Sequence, residues 1–390
     1  MLEWLALPLA VGVAAFLPKG KIKDETIIKQ IFENKGVCIK RNDVLQYPNL
    51  KSKIQCEGYT TYLFSMPYGL NTEDIEDVLS AIKEALQKEV EIEVDGYLKM
   101  EVFHEQLPKK WDYDADLFRP GTWEVPIGKN PKGILYHDFD KYAHFLVGGV
   151  PGFGKTVFMK SIFHTLLLNN PADVEFYILD LKGGLEFYKY SSLPQVKAVS
   201  CNVYETAEVL GAIVEKMKKM ELHFRKNGYT NINDTPIKKR TFVIVDEGAE
   251  LSPDLKVGEE KKYAQFCQAA LSEICRIGRA VGYRCIYGTQ YPSSKSVNMS
   301  IKMNIVSRIS FIAASQVSSR VILDDIGAED LPSIPGRAIY KVEKCRTVQV
   351  PYIDDNMMFK MMEERKDDLI DSRKSRNHST DNRPTRNRKN

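Results

Sequence analysis

The chain has 390 residues, of which 43% are hydrophobic and 27% charged. That balance excludes a disordered or collagen-like polymer and leaves room for one large domain with a smaller companion. A formal net charge of +3 is too weak to announce nucleic acid by itself. The seven cysteines include no Cys-x-x-Cys pair, which argues for reduced thiols rather than a disulfide framework or zinc site.

Leu2–Pro18, LEWLALPLAVGVAAFLP, is apolar except for Glu3, and the basic stretch KGKIK follows it. Its length falls short of the roughly 20 residues that span a bilayer comfortably. Basic residues after the run reverse the order of a secretory signal and would hold the body of the protein on the cytoplasmic side. Residues 1–18 are therefore expected to be a short membrane anchor at the cytoplasmic face of the cell membrane. The plain alternative is an apolar helix docked on protein.

Residues 19–120 read as a small α+β domain for assembly or docking. TTYLFSMP has the composition of a strand. Thr72 would cap a helix running through Gln87, because Ile75, Val78, Leu79 and Ile82 recur at helical spacing. VEIEVDGYLKMEVF alternates like two strands around a turn at Asp95-Gly96. No chemical cluster stands out.

From Gly121 the pattern changes. Apolar runs of strand length (HFLVGG, VEFYILD, RTFVIVDE, YRCIYGTQ, SRISFIAA) alternate with helical stretches after Lys155, from Ala207 to Lys226 and from Tyr263 to Val281. Such alternation predicts an α/β fold: a mostly parallel sheet covered by helices on both faces, spanning residues 121–355. Residues 356–390 read as a basic, disordered tail, with seven Lys or Arg between Arg373 and Lys389 against one acid, Asp381.

The stretch VGGVPGFGKTVFMKSIF holds Gly149, four residues, then Gly154-Lys155-Thr156, which is the P-loop spacing. An apolar strand precedes it and an amphipathic helix is expected after it, the context the motif requires. Gly149, Val150, Pro151, Gly152, Phe153 and Gly154 would form the loop that turns the available backbone N–H groups around phosphates, with Lys155, Thr156 and Val157 opening the helix. Lys155 would reach the β- and γ-phosphates and Thr156 would give its hydroxyl to Mg²⁺. A P-loop needs a metal partner on a neighbouring strand, and TFVIVDE supplies Asp246 for Mg²⁺ and Glu247 to polarise water. Two further strand ends point to the same edge of the sheet: Asp180 with Lys182, and Thr289-Gln290, where Gln290 would sense the γ-phosphate. Kinase, GTPase, transporter and motor all use such a site. The absence of a guanine-reading Asn-Lys-x-Asp, and the separate acid at Glu247, favour ATP hydrolysis.

Residues 121–350 resemble the motor domain of the FtsK/SpoIIIE family of DNA translocases, within the FtsK–HerA group. The likeness is carried by VPIGKNPKGILYHDFDKYAHFLVGGVPGFGKT, ILDLKGGLEF, FVIVDEGAEL, EICRIGRAVGYRCIYGTQYPSS and NIVSRISFIAASQVSSRVILDDIGAEDLPSIPGRAIY, in family order. Tyr291 departs from the family's usual Thr-Gln-Arg-Pro. The resemblance implies a RecA-like P-loop NTPase, a homo-hexameric ring with ATP and Mg²⁺ between subunits, and double-stranded DNA as a sequence-independent partner. It also implies an arginine donated by the neighbouring subunit; Arg320, then Arg308, then Arg279 are the candidates. Lys189, Lys295 and Lys302 are candidate DNA-contacting residues in pore loops. A winged-helix domain is not expected in the 40 residues after position 350. That suits compact members of conjugative elements, plasmids or phages, with membrane-channel or relaxase-type protein partners. Two rival readings are an ATPase that powers type VII-like protein secretion and an adaptor that uses nucleotide only as an assembly switch.

Overall fold

A computed structural model describes residues 23–290, 292 and 296–365. The expected anchor at 1–18 and the candidate Lys295 lie outside them. Among the described residues no helix is long and apolar enough to cross a membrane. The chain divides into two compact units between Gln106 and Leu107, ahead of the boundary expected at 120. The reason is visible in the packing: Tyr113, Leu117, Phe118 and Trp123 are buried in the core of the second unit.

The first unit is α1 (Asp24–Asn34), the ribbon β1 (Ile39–Arg41) and β2 (Val44–Gln46), then β3 (Asn49–Cys56), β4 (Tyr59–Ser65), α2 (Thr72–Leu86), β5 (Val90–Asp95) and β6 (Tyr97–Phe103). The last four strands form an antiparallel sheet in the order β3-β4-β6-β5. Phe32, Phe64, Ile75, Ile82, Leu98 and Met100 form its core. Helix α2 starts where its helical spacing begins, but the cap is Asn71, not Thr72. The Asn71 side chain accepts from the Asp74 amide at 3.0 Å, and Asp74 accepts in return from the Asn71 amide at 2.9 Å, a capping box that satisfies two otherwise orphaned donors.

The second unit continues with β7 (Glu124–Asn130), β8 (Gly133–Asp138), β9 (His144–Gly148), α3 (Lys155–Asn169), β10 (Val174–Leu179), β11 (Val196–Ser200), α4 (Val203–Asn227), β12 (Arg240–Val245), α5 (Gly258–Val281), β13 (Tyr283–Thr289), α6 (Met299–Lys302), β14 (Ser307–Phe311), α7 (Gln316–Leu323), β15 (Arg337–Lys341), β16 (Cys345–Gln349) and α8 (Asp355–Glu364). Its ten strands run β11-β10-β12-β13-β9-β14-β15-β16-β7-β8. The first six are mutually parallel and the rest extend the sheet antiparallel. Alternate residues of each central strand enter two different cores: Phe145 and Val147 pack with α3, while Leu146 packs with α4, α5 and α7. Burial on both faces is why these strands are apolar throughout. The strand carrying Asp246 and Glu247 is one removed from the P-loop strand, because β13 is inserted between β12 and β9.

Two expectations fail in one place. Helix α3 is not amphipathic: Phe158 through Asn169 are all buried. Residues 355–364 are a helix rather than disordered tail, and it helps to cover α3. Met358 and Met362 enter the same core as Phe158 and Ile162, the Met358 carbonyl lies 3.2 Å from His164 Nε2, and Asp355 lies 3.5 Å from the buried Lys160. Lys160 and His164 Nε2 thereby gain partners from α8, while Ser161, Thr165 and Asn169 bond elsewhere in the second unit.

Candidate functional site

Strand β9 ends at Gly148, and the chain turns through residues 149–154 into α3. Gly149, Gly152 and Gly154 have φ of +138°, +89° and +106°, values that residues bearing a Cβ rarely adopt. At Gly149 space forbids a side chain as well, since a Cβ would lie 2.6 Å from that of Phe311 on the adjacent β14. The loop is tied down by its own backbone: the Val150 amide donates to the Ile312 carbonyl at 2.9 Å and the Phe153 carbonyl accepts from the Gly336 amide at 3.0 Å. Gly154 is the N-cap of α3 and offers no side-chain cap. The leading amides and the positive end of the helix dipole are therefore left for an anion.

Lys155 is 3% exposed. Its Nζ donates to the backbone carbonyl of Asp246 and, at 3.2 Å, to Asp246 Oδ1. Asp246 is fully buried, and its Oδ2 has no hydrogen-bond partner among the described residues. A buried carboxylate oxygen left unpartnered is costly, and a hard cation shared with phosphate oxygens is the chemistry that relieves it. Thr156 follows in the first turn of α3, half-buried. The residues present thus fit Mg²⁺ carried in with a nucleotide.

Asp246 and Glu247 are consecutive at a strand end, so their side chains leave in opposite directions. Glu247 points toward the end of β13. Its Oε1 accepts from Thr289 Oγ1 at 3.0 Å, the Gln290 amide reaches both carboxylate oxygens at 3.0 and 2.9 Å, and Lys182 Nζ lies 3.5 Å from Oε2. Glu247 and Thr289 are both buried. Gln290 therefore meets Glu247 through its backbone. The Thr289 hydroxyl, noted in the sequence only as a strand end, is a direct partner of the acid. Lys182 joins Glu247 rather than Asp180.

Asp180 shapes the loop after β10. Its Oδ2 accepts the Glu186 and Phe187 amides at 2.9 and 2.7 Å. Burial, with Asp246 nearby, raises its carboxyl above the ordinary range despite those two hydrogen bonds.

The candidate cations separate into two groups. Arg308 is bound within its own chain: it pairs with Asp324 and donates to the Ile305 carbonyl at 3.1 Å. Lys302 is buried against the same Asp324 at 2.5 Å, and Lys189 pairs with Asp355. All three cations are committed to ion pairs. Arg320 and Arg279 are exposed, and Arg320 is in no ion pair among the described residues. Below the opposite ends of the strands a buried triad was not anticipated. Arg240 grips Asp140 through two hydrogen bonds of 2.8 and 3.0 Å, and Arg284 adds a third of 2.8 Å. Residues that look like isolated surface charges in the sequence meet there because β12 and β13 are neighbours.

The FtsK/SpoIIIE family model matches residues 118–241. The chain is 30% identical over 218 residues to DNA translocase FtsK of Tropheryma whipplei, covering 53% of this chain and 29% of that protein. It is 29% identical over 332 residues to DNA translocase FtsK of Caldanaerobacter subterraneus, covering 81% of this chain and 45% of that one. The chain thus spans less than half the length of each of these relatives. Among solved structures, the monomer form of the pCW3 conjugation coupling protein TcpA with ATPγS is similar over 88% of this chain and 100% of that one, at TM-score 0.63 and 24% identity. The cytoplasmic domain of the Thermomonospora curvata type VII secretion ATPase EccC is similar over 65% of this chain and 31% of that one, at TM-score 0.52 and 23% identity. Residues 118–241, which hold the glycine turn and Lys155, match the FtsK/SpoIIIE family, and the second unit has the fold of a P-loop ATPase.

Proposed function

We propose that the chain hydrolyses ATP to move DNA, as a subunit of a homo-hexameric ring. The observation that carries this reading is the buried arrangement of Lys155, Asp246 and Glu247 beside an uncapped glycine turn, in a domain related to DNA translocases. The amides of Gly152, Phe153 and Gly154 cradle the phosphates. Lys155 exchanges Asp246 for a phosphate oxygen, Thr156 and Asp246 hold Mg²⁺, and Glu247 takes the proton of the attacking water. Mg²⁺ supplies charge neutralisation on the phosphates when bound. Arg320, exposed and outside any described ion pair, is the preferred arginine for a neighbouring subunit's site. DNA would be gripped through its phosphates without base readout.

The named relatives support a translocase, and the TcpA likeness supports a place in conjugative transfer, with the first unit serving assembly and residues 1–18 anchoring the ring to the membrane. The EccC likeness keeps protein secretion as the second reading. The direct test of the site is Glu247→Gln, which should retain ATP binding and slow hydrolysis at least about 100-fold. Turnover at the unsubstituted rate would remove Glu247 from the mechanism.

A further inference from the structure

We propose that Lys182 is a positioning residue for Glu247: it holds the carboxylate away from water until a phosphate oxygen draws its ammonium off. This rests on the assignment of Glu247 above. An ionised carboxylate offers roughly four acceptor positions on two oxygens. Glu247 accepts from the Thr289 hydroxyl and from the single Gln290 N–H, which is shared between both oxygens, and Lys182 stands against Oε2 as an ion pair at 3.5 Å. A carboxylate so engaged has little capacity left to accept a proton from water.

The donors differ in what they can do. The Thr289 hydroxyl and the Gln290 amide sit at the end of β13, in the middle of the sheet. Lys182 comes from the loop after β10 and is the donor that can leave. Its side chain is 32% exposed, whereas that of Glu247 is 2% exposed, so one partner reaches solvent while the other is sealed. The loop is built to carry it. Its far end is pinned where Asp180 accepts the Glu186 and Phe187 amides. Between them Gly183 and Gly184 turn at φ of +76° and +77°, and a Cβ on Gly184 would meet Cys201 Sγ at 2.7 Å. Leu185, next along, is 83% exposed. An ammonium that swaps a carboxylate for a phosphate oxygen is never left unpaired, so the exchange is easy in both directions. The phosphate can come from the nucleotide or from the DNA backbone.

The test is ATP hydrolysis by full-length Lys182→Gln and Lys182→Arg proteins, with and without duplex DNA. With DNA as the source of the phosphate, Lys182→Gln should raise the DNA-free kcat about two- to fivefold, the factor expected for losing a partly exposed ion pair. Lys182→Arg should keep the low rate. If DNA is the source of the phosphate, KM for ATP stays constant and stimulation by duplex shrinks by the same factor. If the nucleotide is the source, saturating ATP has already drawn Lys182 off, so kcat is unchanged, KM rises and stimulation survives. A DNA-free kcat below that of the unsubstituted protein, kcat and KM both unchanged, or Lys182→Arg behaving like Lys182→Gln, would overturn the proposal. A thermal double-mutant cycle reads the same contact without turnover. The Tm change caused by Lys182→Gln should disappear in a Glu247→Gln background, and additive changes would overturn it. An inactive Glu247→Gln beside a silent Lys182→Gln rejects the Lys182 proposal alone; an active Glu247→Gln rejects the reading beneath it.

Discussion

Replacing Asp140 with Ala separates the frame of the site from its chemistry. Asp140 bridges Arg240, at the start of β12, and Arg284, near the start of β13. These strands carry Asp246–Glu247 and Thr289–Gln290 at their other ends. Both guanidiniums are buried, at 5% and 0% exposure, while Asp140 is 24% exposed. Removing one partner of a fully buried ion pair costs about 3–5 kcal/mol because the other charge is stranded. The partial exposure of Asp140 reduces that to about 2–4 kcal/mol. For a unit of this size the loss lowers Tm by roughly 5–15 °C. Asp140→Asn retains an acceptor and should lose about half as much.

The same triad sets an acid limit on stability. Burial alone would raise the Asp140 carboxyl, but Arg240 and Arg284 outweigh it and hold it below the ordinary range. A depressed folded-state pKa contributes stability above the unfolded value of about 4, and that contribution is lost as pH falls through the folded one. Calorimetric melting from pH 7 down to pH 3 should therefore show the gap between Asp140→Ala and the unsubstituted protein narrowing below about pH 4. A Tm change under about 2 °C at pH 7, or a gap that widens on acidification, would refute this account of the triad.

Four other substitutions address the site and the smaller unit. Gly149→Ala forces a Cβ against Phe311 at a φ of +138°; it should cost at least about 2 kcal/mol and abolish ATP binding measured by calorimetric titration. Arg308→Ala removes one of the two cations on Asp324 and the donor to the Ile305 carbonyl and should lower Tm by several degrees in the isolated subunit. Arg320→Ala should leave Tm unchanged and reduce hydrolysis only in assembled protein, which mixing with unsubstituted subunits would report. Asn71→Ala removes the capping box of α2 and should destabilise the first unit by about 1–2 kcal/mol in denaturant titration.

The central strands and the P-loop were legible because both signals are local. A strand buried on two faces is apolar at every position, and a glycine turn must occupy successive residues. The Asp246–Glu247 end was legible for the same reason. What escaped depended on residues far apart in the chain. β13 separates the two motif strands, so Thr289 could reach Glu247 without any mark of it in the sequence. Lys302, Arg308 and Asp324 form one network across three segments, and an isolated arginine in an apolar strand does not reveal its partner. The polar residues Lys160, Ser161, His164 and Thr165 of helix α3 recur at helical spacing on one side, as a wet face would. Burial of that face required α8, which a reading by composition merged with the basic residues after it. The cap of α2 moved by one residue because Asn71 and Thr72 are both good caps, and only the reciprocal bond from Asp74 decides between them.

The measurement that bears most directly on the central claim is ATP hydrolysis by the assembled full-length protein, with and without duplex DNA, over a salt series. The account predicts strong stimulation by duplex at low salt that is insensitive to base sequence and falls steeply as salt rises, as phosphate contacts require. Hydrolysis indifferent to duplex and single-stranded DNA at every salt concentration, but increased by a peptide export signal, would contradict a DNA motor and assign the same ATPase site to protein secretion.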